Sequence, residues 1–199
     1  DPFSGRGTTI LEAGLLGRNV IANDINPLSQ ILSAPRFFVP TIDDLTQRLE
    51  TIPLVRKVKS SIDLSMFYHP DTLKEIVSLR EYLLERHASG RVDDLDAWIR
   101  MAATNRLTGH SSGFFSVYTL PPNQAVSASS QKKINVKLEQ APPYRDTRAI
   151  ILKKSRQLTK ELTAIELENL QRAGEHACFL TTDARHTTAI PSASVQLTV

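Results

Sequence analysis

The first nine residues carry the pattern with the most chemical content. Asp1 to Thr9 read DPFSGRGTT, and a helix-forming segment, Thr8 to Leu16, begins inside this run. Gly5 and Gly7 have no β-carbon, so they permit a tight turn and a close approach of ligand atoms to the backbone. The first N–H groups and the dipole of the helix favour a carboxylate or phosphate at the same point. The pattern therefore predicts a loop that binds a nucleotide-like ligand.

Asp24 stands where a ribose-binding acid is expected. It follows a short apolar strand predicted over Asn19 to Ala22, and a dinucleotide fold places such an acid about 20 residues after its glycines. A phosphate-binding P-loop is excluded, because Gly7 is followed by Thr8 and not by lysine. A dinucleotide site is poorly supported, because Ile10 occupies the position of the third glycine. An ordinary strand-to-helix turn is the remaining alternative.

The two segments together resemble a known family. DPFSGRGTT followed by NDINP, Asn23 to Pro27, looks like motifs I and II of the S-adenosylmethionine-dependent amino-methyltransferases that act on adenine or cytosine in DNA. The resemblance implies an α/β fold with a partial Rossmann-like core. It also implies that the loop surrounds the methionine part of the cofactor, that Asp24 binds the ribose hydroxyls and that Ile25 lies against the adenine ring. The implied cofactor-binding residues are Asp1, Phe3, Gly5, Gly7, Thr8, Asp24, Ile25 and Asp183.

Asp183 belongs to a third segment near the other end. Cys178 to Thr182 reads CFLTT, a short apolar strand, and Asp183 follows it. This looks like motif III of the same family, in which the acid accepts a hydrogen bond from the adenine amino group. Taken alone, an aspartate after a strand is most often a turn former or a helix cap.

The family's catalytic motif, Asp/Asn/Ser-Pro-Pro-Tyr/Phe, is expected after the next strand. That strand is predicted over Ser194 to Val199, so the motif is expected beyond Val199, and the chain is interpreted as an internal fragment with no catalytic residue of its own. Ala141 to Tyr144 reads APPY, but alanine has no acceptor to orient a target amine. We interpret it, like Pro121-Pro122, as a loop.

A long insert is predicted to interrupt the core. The expected organisation is a core over residues 1–40, a mostly helical insert over 41–175 and a return to the core over 176–199, because two parallel strands need a connection of only about a dozen residues. The insert is the predicted DNA-binding or target-recognition region. Its predicted helices are Ile42 to Ile52, Pro70 to His87, Asp93 to Leu107 and Asp146 to Ala173.

Positive charge is concentrated in one part of the insert. Residues 101–160 contain ten Lys or Arg and two acidic residues, a net charge of +8, whereas the other residues sum to −5. Such a local field suits phosphate backbones, although a solvated helix face would have the same composition. The predicted nucleic-acid-binding residues are Lys132, Lys133, Lys137, Arg145, Arg148, Lys153, Lys154 and Arg156.

A glycine-containing aromatic segment lies beside these charges. Thr108 to Leu120 reads TGHSSGFFSVYTL, and its rings could wedge into a base stack opened by base flipping or could pack inward as a hairpin. Both interpretations remain open.

The rest of the composition bounds the compartment and the chemistry. Cys178 is the only cysteine, so no intramolecular disulfide or cysteine-based metal cage is possible, and we expect a reducing cytoplasm. The five histidines show no metal-ligand spacing. No apolar run approaches the roughly 20 residues of a membrane span.

The sequence thus predicts part of a DNA amino-methyltransferase that binds S-adenosylmethionine, needs no metal and has DNA as its partner. Two alternatives stay open: a non-catalytic nucleic-acid-binding relic of the same fold, and an amino-methyltransferase that acts on RNA.

Overall fold

The computed structural model describes residues 1–54, 60–120 and 126–199. The chain divides into two compact units, the first made of Asp1–Pro40 with Thr159–Val199 and the second of Thr41–Leu158. The described residues are mainly helical and include a two-stranded parallel sheet, so an α/β class is compatible with them. The first unit contains α1 (Thr8–Leu15), β1 (Ile21–Asn23), α2 (Leu28–Ser33), a 3-10 helix (Ala34–Phe37), α8 (Ala164–His176) and β2 (Cys178–Leu180). The second contains α3 (Ile42–Thr51), α4 (Pro70–Ala88), α5 (Asp94–Thr104), α6 (Ala128–Lys137) and most of α7 (Thr147–Thr159).

Three backbone segments lie side by side in the first unit. β1 pairs in parallel with β2, with Ile21 opposite Cys178. On the other edge of β1, the backbone nitrogen of Asp1 donates to the carbonyl of Ile21 at 3.0 Å, and Asn23 N–H donates to the carbonyl of Asp1 at 3.0 Å. These two bonds are those of a parallel neighbour, so the spatial order is Asp1, β1, β2.

The core of the first unit is formed where α1, α8 and the 3-10 helix cover this small sheet. Phe37 of the 3-10 helix is fully buried, and its ring meets that of Phe179 on β2 edge to face at 5.7 Å. Burial of apolar surface is the main driving force for this packing. The buried core residues are Ile10, Val20, Ala22, Phe37, Leu170 and Ala173.

In the second unit an ion-pair cluster joins three helices. Arg48 of α3 binds Asp93 and Asp96 at 2.7 Å each, and Arg86 of α4 also contacts both carboxylates. Asp93 caps α5 in a capping box with the fully buried Asp96. Burial pushes the pKa of Asp93 upward, but the hydrogen bond from Arg48 and the other charges lower it to about 2. The cluster holds α3 and α4 against the start of α5.

Most predicted elements are confirmed, with shifted ends. Strands were predicted at both observed positions, and three of the four predicted helices of the insert occur as α3, α4 and α5. α6 was not predicted from the sequence.

The single helix predicted over Asp146 to Ala173 is wrong. The chain forms α7 and α8, separated where Thr163 caps α8 in a capping box with Glu166. Because a threonine cap starts a helix, the two apolar stripes belong to different helices.

The boundary of the insert also lies elsewhere than predicted. The second unit ends at Leu158, not at residue 175, because α8 packs on α1 and on the 3-10 helix and contributes Leu170 to the core of the first unit.

The strand predicted over Ser194 to Val199 is also wrong. Residues 191–199 are all exposed and form no strand, since alternating apolar residues make a strand only where a neighbouring strand and a covered face are present.

Candidate cofactor site and basic surface

The glycine loop has the backbone geometry that its sequence predicts. Gly5 has φ +51° and Gly7 has φ +81°, both in the left-handed region. Ser4 N–H donates to the carbonyl of Asn23 at 2.9 Å, and Gly7 N–H donates to the carbonyl of Ser4 at 2.7 Å. The loop is therefore a tight turn that is hydrogen-bonded to the end of β1.

Asp24 lies against this loop. Its Oδ2 accepts from Gly5 N–H at 2.8 Å, and its Oδ1 accepts from Asn26 N–H at 2.9 Å. A carboxylate has about four acceptor positions, so these two bonds leave acceptor capacity for further donors. The structure thus brings together the two groups that the sequence paired, the glycine loop and the acid after β1.

The two glycines differ in what surrounds them. A β-carbon on Gly5 would find its nearest neighbour, the carbonyl oxygen of Phe3, at 3.9 Å, whereas a β-carbon on Gly7 would lie 2.5 Å from Cβ of Ser33. Gly5 is exposed and Gly7 is buried. The space beside Gly5 is open to a ligand, while the bare α-carbon of Gly7 allows α2 to pack against the loop.

The start of α1 is uncapped. Gly7 occupies the N-cap position without a side-chain hydrogen bond, and the first turn of α1 contains no acidic residue. Thr8, the first residue of α1, is exposed. The positive end of the helix dipole is therefore available to an anionic group of a ligand.

Two large apolar side chains close in sequence to Gly5 and Asp24 are exposed to solvent. Phe3 is 76% exposed and Ile25 is 73% exposed. One precedes Gly5 by two residues and the other follows Asp24 directly, so both flank the polar contacts. Ligand sites commonly combine apolar contact surface with a few polar groups.

Asp183 follows β2 as predicted, but its carboxylate is engaged. Arg185 binds it through Nε at 3.0 Å and Nη2 at 2.6 Å, and Arg185 N–H donates to it at 2.9 Å. These hydrogen bonds lower the pKa of Asp183. An adenine amino group would have to share or replace this exposed contact.

Sequence reasoning missed Asn23 as a residue of the site. It is 2% exposed, and its side chain bonds both to Pro2 and to Thr182. The available signal was a polar residue placed at the end of a buried strand, where an amide must be fully hydrogen-bonded.

The basic residues predicted to bind nucleic acid separate into groups with different surroundings. Lys132, Lys133 and Lys137 are exposed on α6, where they and the 80% exposed Val136 line a shallow depression. No acidic residue lies within α6. All three predicted lysines of this α6 face are therefore exposed to solvent.

Two arginines of the set serve the fold instead. Arg148 donates through Nε to the carbonyl of Leu49 at 2.9 Å and through Nη2 to that of Ile52 at 2.7 Å, which satisfies carbonyls at the C-terminal end of α3. Arg145 is half-buried and exchanges backbone hydrogen bonds with the Thr72 hydroxyl. The remaining members, Lys153, Lys154 and Arg156, lie on α7.

The aromatic segment packs inward. Phe114 and Phe115 are buried, the Arg106 guanidinium lies 4.2 Å from the centre of the Phe114 ring, and Thr119 N–H closes the segment onto the carbonyl of Gly109 at 3.0 Å. The two rings of this segment that are exposed are those of His110 and of Tyr118, which is 44% exposed. The two phenylalanines are thus core residues and not wedges for a base stack.

The APPY segment, Ala141 to Tyr144, is a loop held by hydrogen bonds to Glu75. Tyr144 donates to Glu75 at 2.8 Å, and Thr147 N–H donates to the same carboxylate at 2.9 Å. The other proline pair, Pro121-Pro122, lies outside the described residues.

No protein-family model, curated protein or solved structure matches the chain. Within the three described ranges, no helix combines the length and apolar character needed to cross a membrane. The same residues contain no cluster of three His, Cys, Asp or Glu side chains placed to hold a metal ion.

Proposed function

We propose that this chain binds S-adenosylmethionine and belongs to a methyltransferase that acts on an exocyclic amine of adenine or cytosine in DNA. One observation carries the proposal: the Asp24 carboxylate at the end of β1 holds the Gly5 N–H of the glycine loop at 2.8 Å. The proposal assigns cofactor and nucleic-acid binding to this chain and does not assign the transfer step to its residues.

The position of the site within the sheet supports this assignment. Asp1, β1 and β2 lie side by side. The glycine loop follows Asp1 in the chain, Asp24 follows β1 and Asp183 comes after β2, so all three groups lie at the same edge of the sheet. Ligands of α/β sheets bind outside the carboxyl ends of parallel strands. An elongated ligand with a nucleoside end and an amino-acid end would contact all three segments at this edge.

The groups present fit the parts of S-adenosylmethionine. The uncapped start of α1 suits its carboxylate, the free acceptor positions of Asp24 suit its ribose hydroxyls, and the exposed Phe3 and Ile25 offer apolar contact. When bound, this cofactor supplies an electrophilic methyl group. The residues of the chain hold and orient it, and Asp183 would exchange Arg185 for the adenine amino group.

The α6 face supports a nucleic-acid partner. Lys132, Lys133 and Lys137 are exposed together on one helix that has no acidic residue. Lysines that neutralise phosphates release condensed counterions, which gives binding that weakens steeply with salt. We assign phosphate contacts to these three lysines and not to Arg148, whose guanidinium holds the end of α3.

The cofactor assignment is tested by calorimetric titration of S-adenosylmethionine into the chain and its variants. Asp24→Ala should abolish binding, because it removes the ribose acceptors and releases Gly5. Asp63→Ala is the matched control, since Asp63 makes the same bond to the backbone two residues on, at 3.0 Å, in the second unit. Unchanged affinity in a folded Asp24→Ala variant would contradict the assignment.

The nucleic-acid assignment is tested by anisotropy of labelled DNA and RNA duplexes at several salt concentrations. Replacing Lys132, Lys133 and Lys137 by glutamine should reduce the slope of log K against log salt by about 2.7, because each phosphate contact contributes about 0.9. The control removes three exposed charges from the same unit, Lys74, Arg80 and Arg91, and should leave the slope unchanged.

The outcomes also separate the alternatives. Tighter binding to RNA than to DNA would favour an RNA amino-methyltransferase. Salt-dependent DNA binding by a chain that does not bind S-adenosylmethionine would favour a non-catalytic relic. Equal slopes for the α6 variant and its control would place the phosphate contacts elsewhere on the surface.

A further inference from the structure

A single buried amide connects the three segments of the candidate cofactor site. The Asn23 side chain donates through Nδ2 to the carbonyl of Pro2 at 3.3 Å and to that of Thr182 at 3.0 Å. Its Oδ1 accepts from Thr182 N–H at 3.1 Å and from the Thr182 hydroxyl at 2.8 Å. With two donors and two acceptor positions all occupied, the amide of Asn23 is fully satisfied.

These contacts require the amide chemistry of asparagine. An aspartate would face the carbonyls of Pro2 and Thr182 without a donor, and an aliphatic residue would remove the partner of four polar groups on the half-buried Pro2 and Thr182. The reversed amide orientation would point the NH2 group at the N–H of Thr182. The hydrogen-bond pattern therefore fixes both the residue type and its rotamer.

The three connected positions are each next to a predicted ligand group. Pro2 precedes Phe3 of the glycine loop, Asn23 precedes Asp24, and Thr182 precedes Asp183. The backbone of Asn23 adds to the connection, because its carbonyl accepts from Ser4 N–H at 2.9 Å and from the Ser4 hydroxyl at 3.0 Å. A shift of any one segment would therefore disturb the position of the other two.

We propose that Asn23 is a positioning residue that sets the spacing between the methionine-binding loop and the nucleoside-binding residues Asp24 and Asp183. The inference rests on the proposed function. A rigid spacing lets the second half of a ligand bind as an intramolecular event once the first half is bound, which raises affinity without a new contact. Asn23 then acts through this linkage and does not touch the ligand.

The test compares the whole ligand with its two halves on the intact 199-residue chain. Affinities for S-adenosylhomocysteine, adenosine and methionine are measured by calorimetry or by NMR shifts, and the linkage advantage is the association constant of the whole divided by the product of those of the halves. Asn23→Asp should lower the affinity for S-adenosylhomocysteine at least about tenfold and change that for each half less than about twofold. Thr182→Val, which removes the hydroxyl donor to Asn23, should show the same pattern and serves if Asn23→Asp does not fold.

Asn169→Asp is the control for a structural amide in the same unit. Asn169 Nδ2 donates to the carbonyl of Leu15 at 2.9 Å, at the far end of α1 from the glycine loop. Its replacement should lower the melting temperature and leave the linkage advantage at the wild-type value. If Thr182→Val and Asn23→Asp also leave the linkage advantage unchanged, Asn23 is only structural and the inference is overturned. A folded wild-type chain that binds none of the three ligands contradicts the proposed function itself, and the inference falls with it.

Discussion

Asp24 shows how one carboxylate can shape a loop and still offer acceptors. Its two oxygens accept from the N–H groups of Gly5 and Asn26, so the candidate site has a fixed loop geometry without a ligand. Preorganisation lowers the entropy cost of binding, because the loop does not have to be ordered by the ligand. The same bonds mean that a change at Asp24 alters loop geometry together with ligand contacts, and a control at a similar turn is needed to separate the two effects.

Gly7 and Gly5 should respond differently to the same substitution. Gly7→Ala places a β-carbon 2.5 Å from Cβ of Ser33 at φ +81°, and we expect it to lower the free energy of unfolding by about 2 to 5 kcal/mol. Gly5→Ala meets only backbone strain at φ +51° and should cost about 1 to 2 kcal/mol. Chemical denaturation of both variants measures the difference. The double variant Gly7→Ala/Ser33→Gly should recover the steric part, and equal losses for the two single variants would show that Ser33 does not restrict Gly7.

At the residue scale the sequence predicted local backbone geometry better than it predicted the hydrogen-bond partners of side chains. The tight turn at Gly5 and Gly7 was predicted from their lack of a β-carbon and is confirmed by their positive φ values, whereas the hydrogen bond between Gly5 and Asp24 was not predicted. The sequence did not predict that Arg185 binds the Asp183 carboxylate or that Arg148 donates to a backbone carbonyl at the end of α3. Both depend on where a long flexible side chain finds a partner, and this information is absent from composition and charge counts.

At the scale of elements, caps decide where helices begin. The box formed by Thr163 and Glu166 starts α8, with Thr163 N–H donating to Glu166 at 2.8 Å. The T-x-x-E spacing was present in the sequence, but the continuing apolar stripe favoured one long helix over Asp146 to Ala173. Periodicity reports which face is apolar and carries no information on a change of direction. The break has a large consequence, because α8 belongs to the core of the first unit.

Removal of this cap should destabilise the first unit. Thr163→Ala eliminates the acceptor for Glu166 N–H, and we expect a loss of about 1 kcal/mol in the free energy of unfolding. Glu166→Gln keeps a side-chain acceptor for Thr163 N–H and should cost less. Because that N–H lowers the pKa of Glu166, the contribution of its carboxylate is present above the ordinary pKa of glutamate and is lost as the pH falls. Urea titrations at neutral and acid pH measure both effects, and a larger loss for Glu166→Gln than for Thr163→Ala would refute the capping argument.

At the scale of the whole molecule, two compact units have separate tasks in the proposed function. The first unit is discontinuous in sequence and contains the glycine loop, Asp24 and Asp183, whereas the second is one continuous segment, Thr41–Leu158. The sequence predicted an insert with a basic surface that ends at residue 175. The second unit ends at Leu158 instead, because α8 packs in the first unit. Long-range packing is the part of a fold that local patterns predict least, since it depends on which apolar faces meet.

The continuity of the second unit leads to a prediction about its independence. A chain of residues 41–158 should fold cooperatively, because it keeps the packing of α3 on α5, the cluster of Arg48 with Asp93 and Asp96, and buried side chains such as Trp98 and Ile99. It should bind DNA with the salt slope of the whole chain and should not bind S-adenosylmethionine. Circular dichroism during urea unfolding, anisotropy and calorimetry measure the three properties.

The same segment with Lys132, Lys133 and Lys137 replaced by glutamine is the control for its DNA binding. It should unfold at the same urea concentration as the parent segment, because these side chains are exposed, and its salt slope should fall by about 2.7. A folded segment that binds DNA with a much smaller slope than the whole chain would show that the first unit also contacts phosphates, and the division of tasks between the units would then be wrong. A match of the two slopes would locate the electrostatic part of DNA binding in the second unit and leave the first unit to the cofactor.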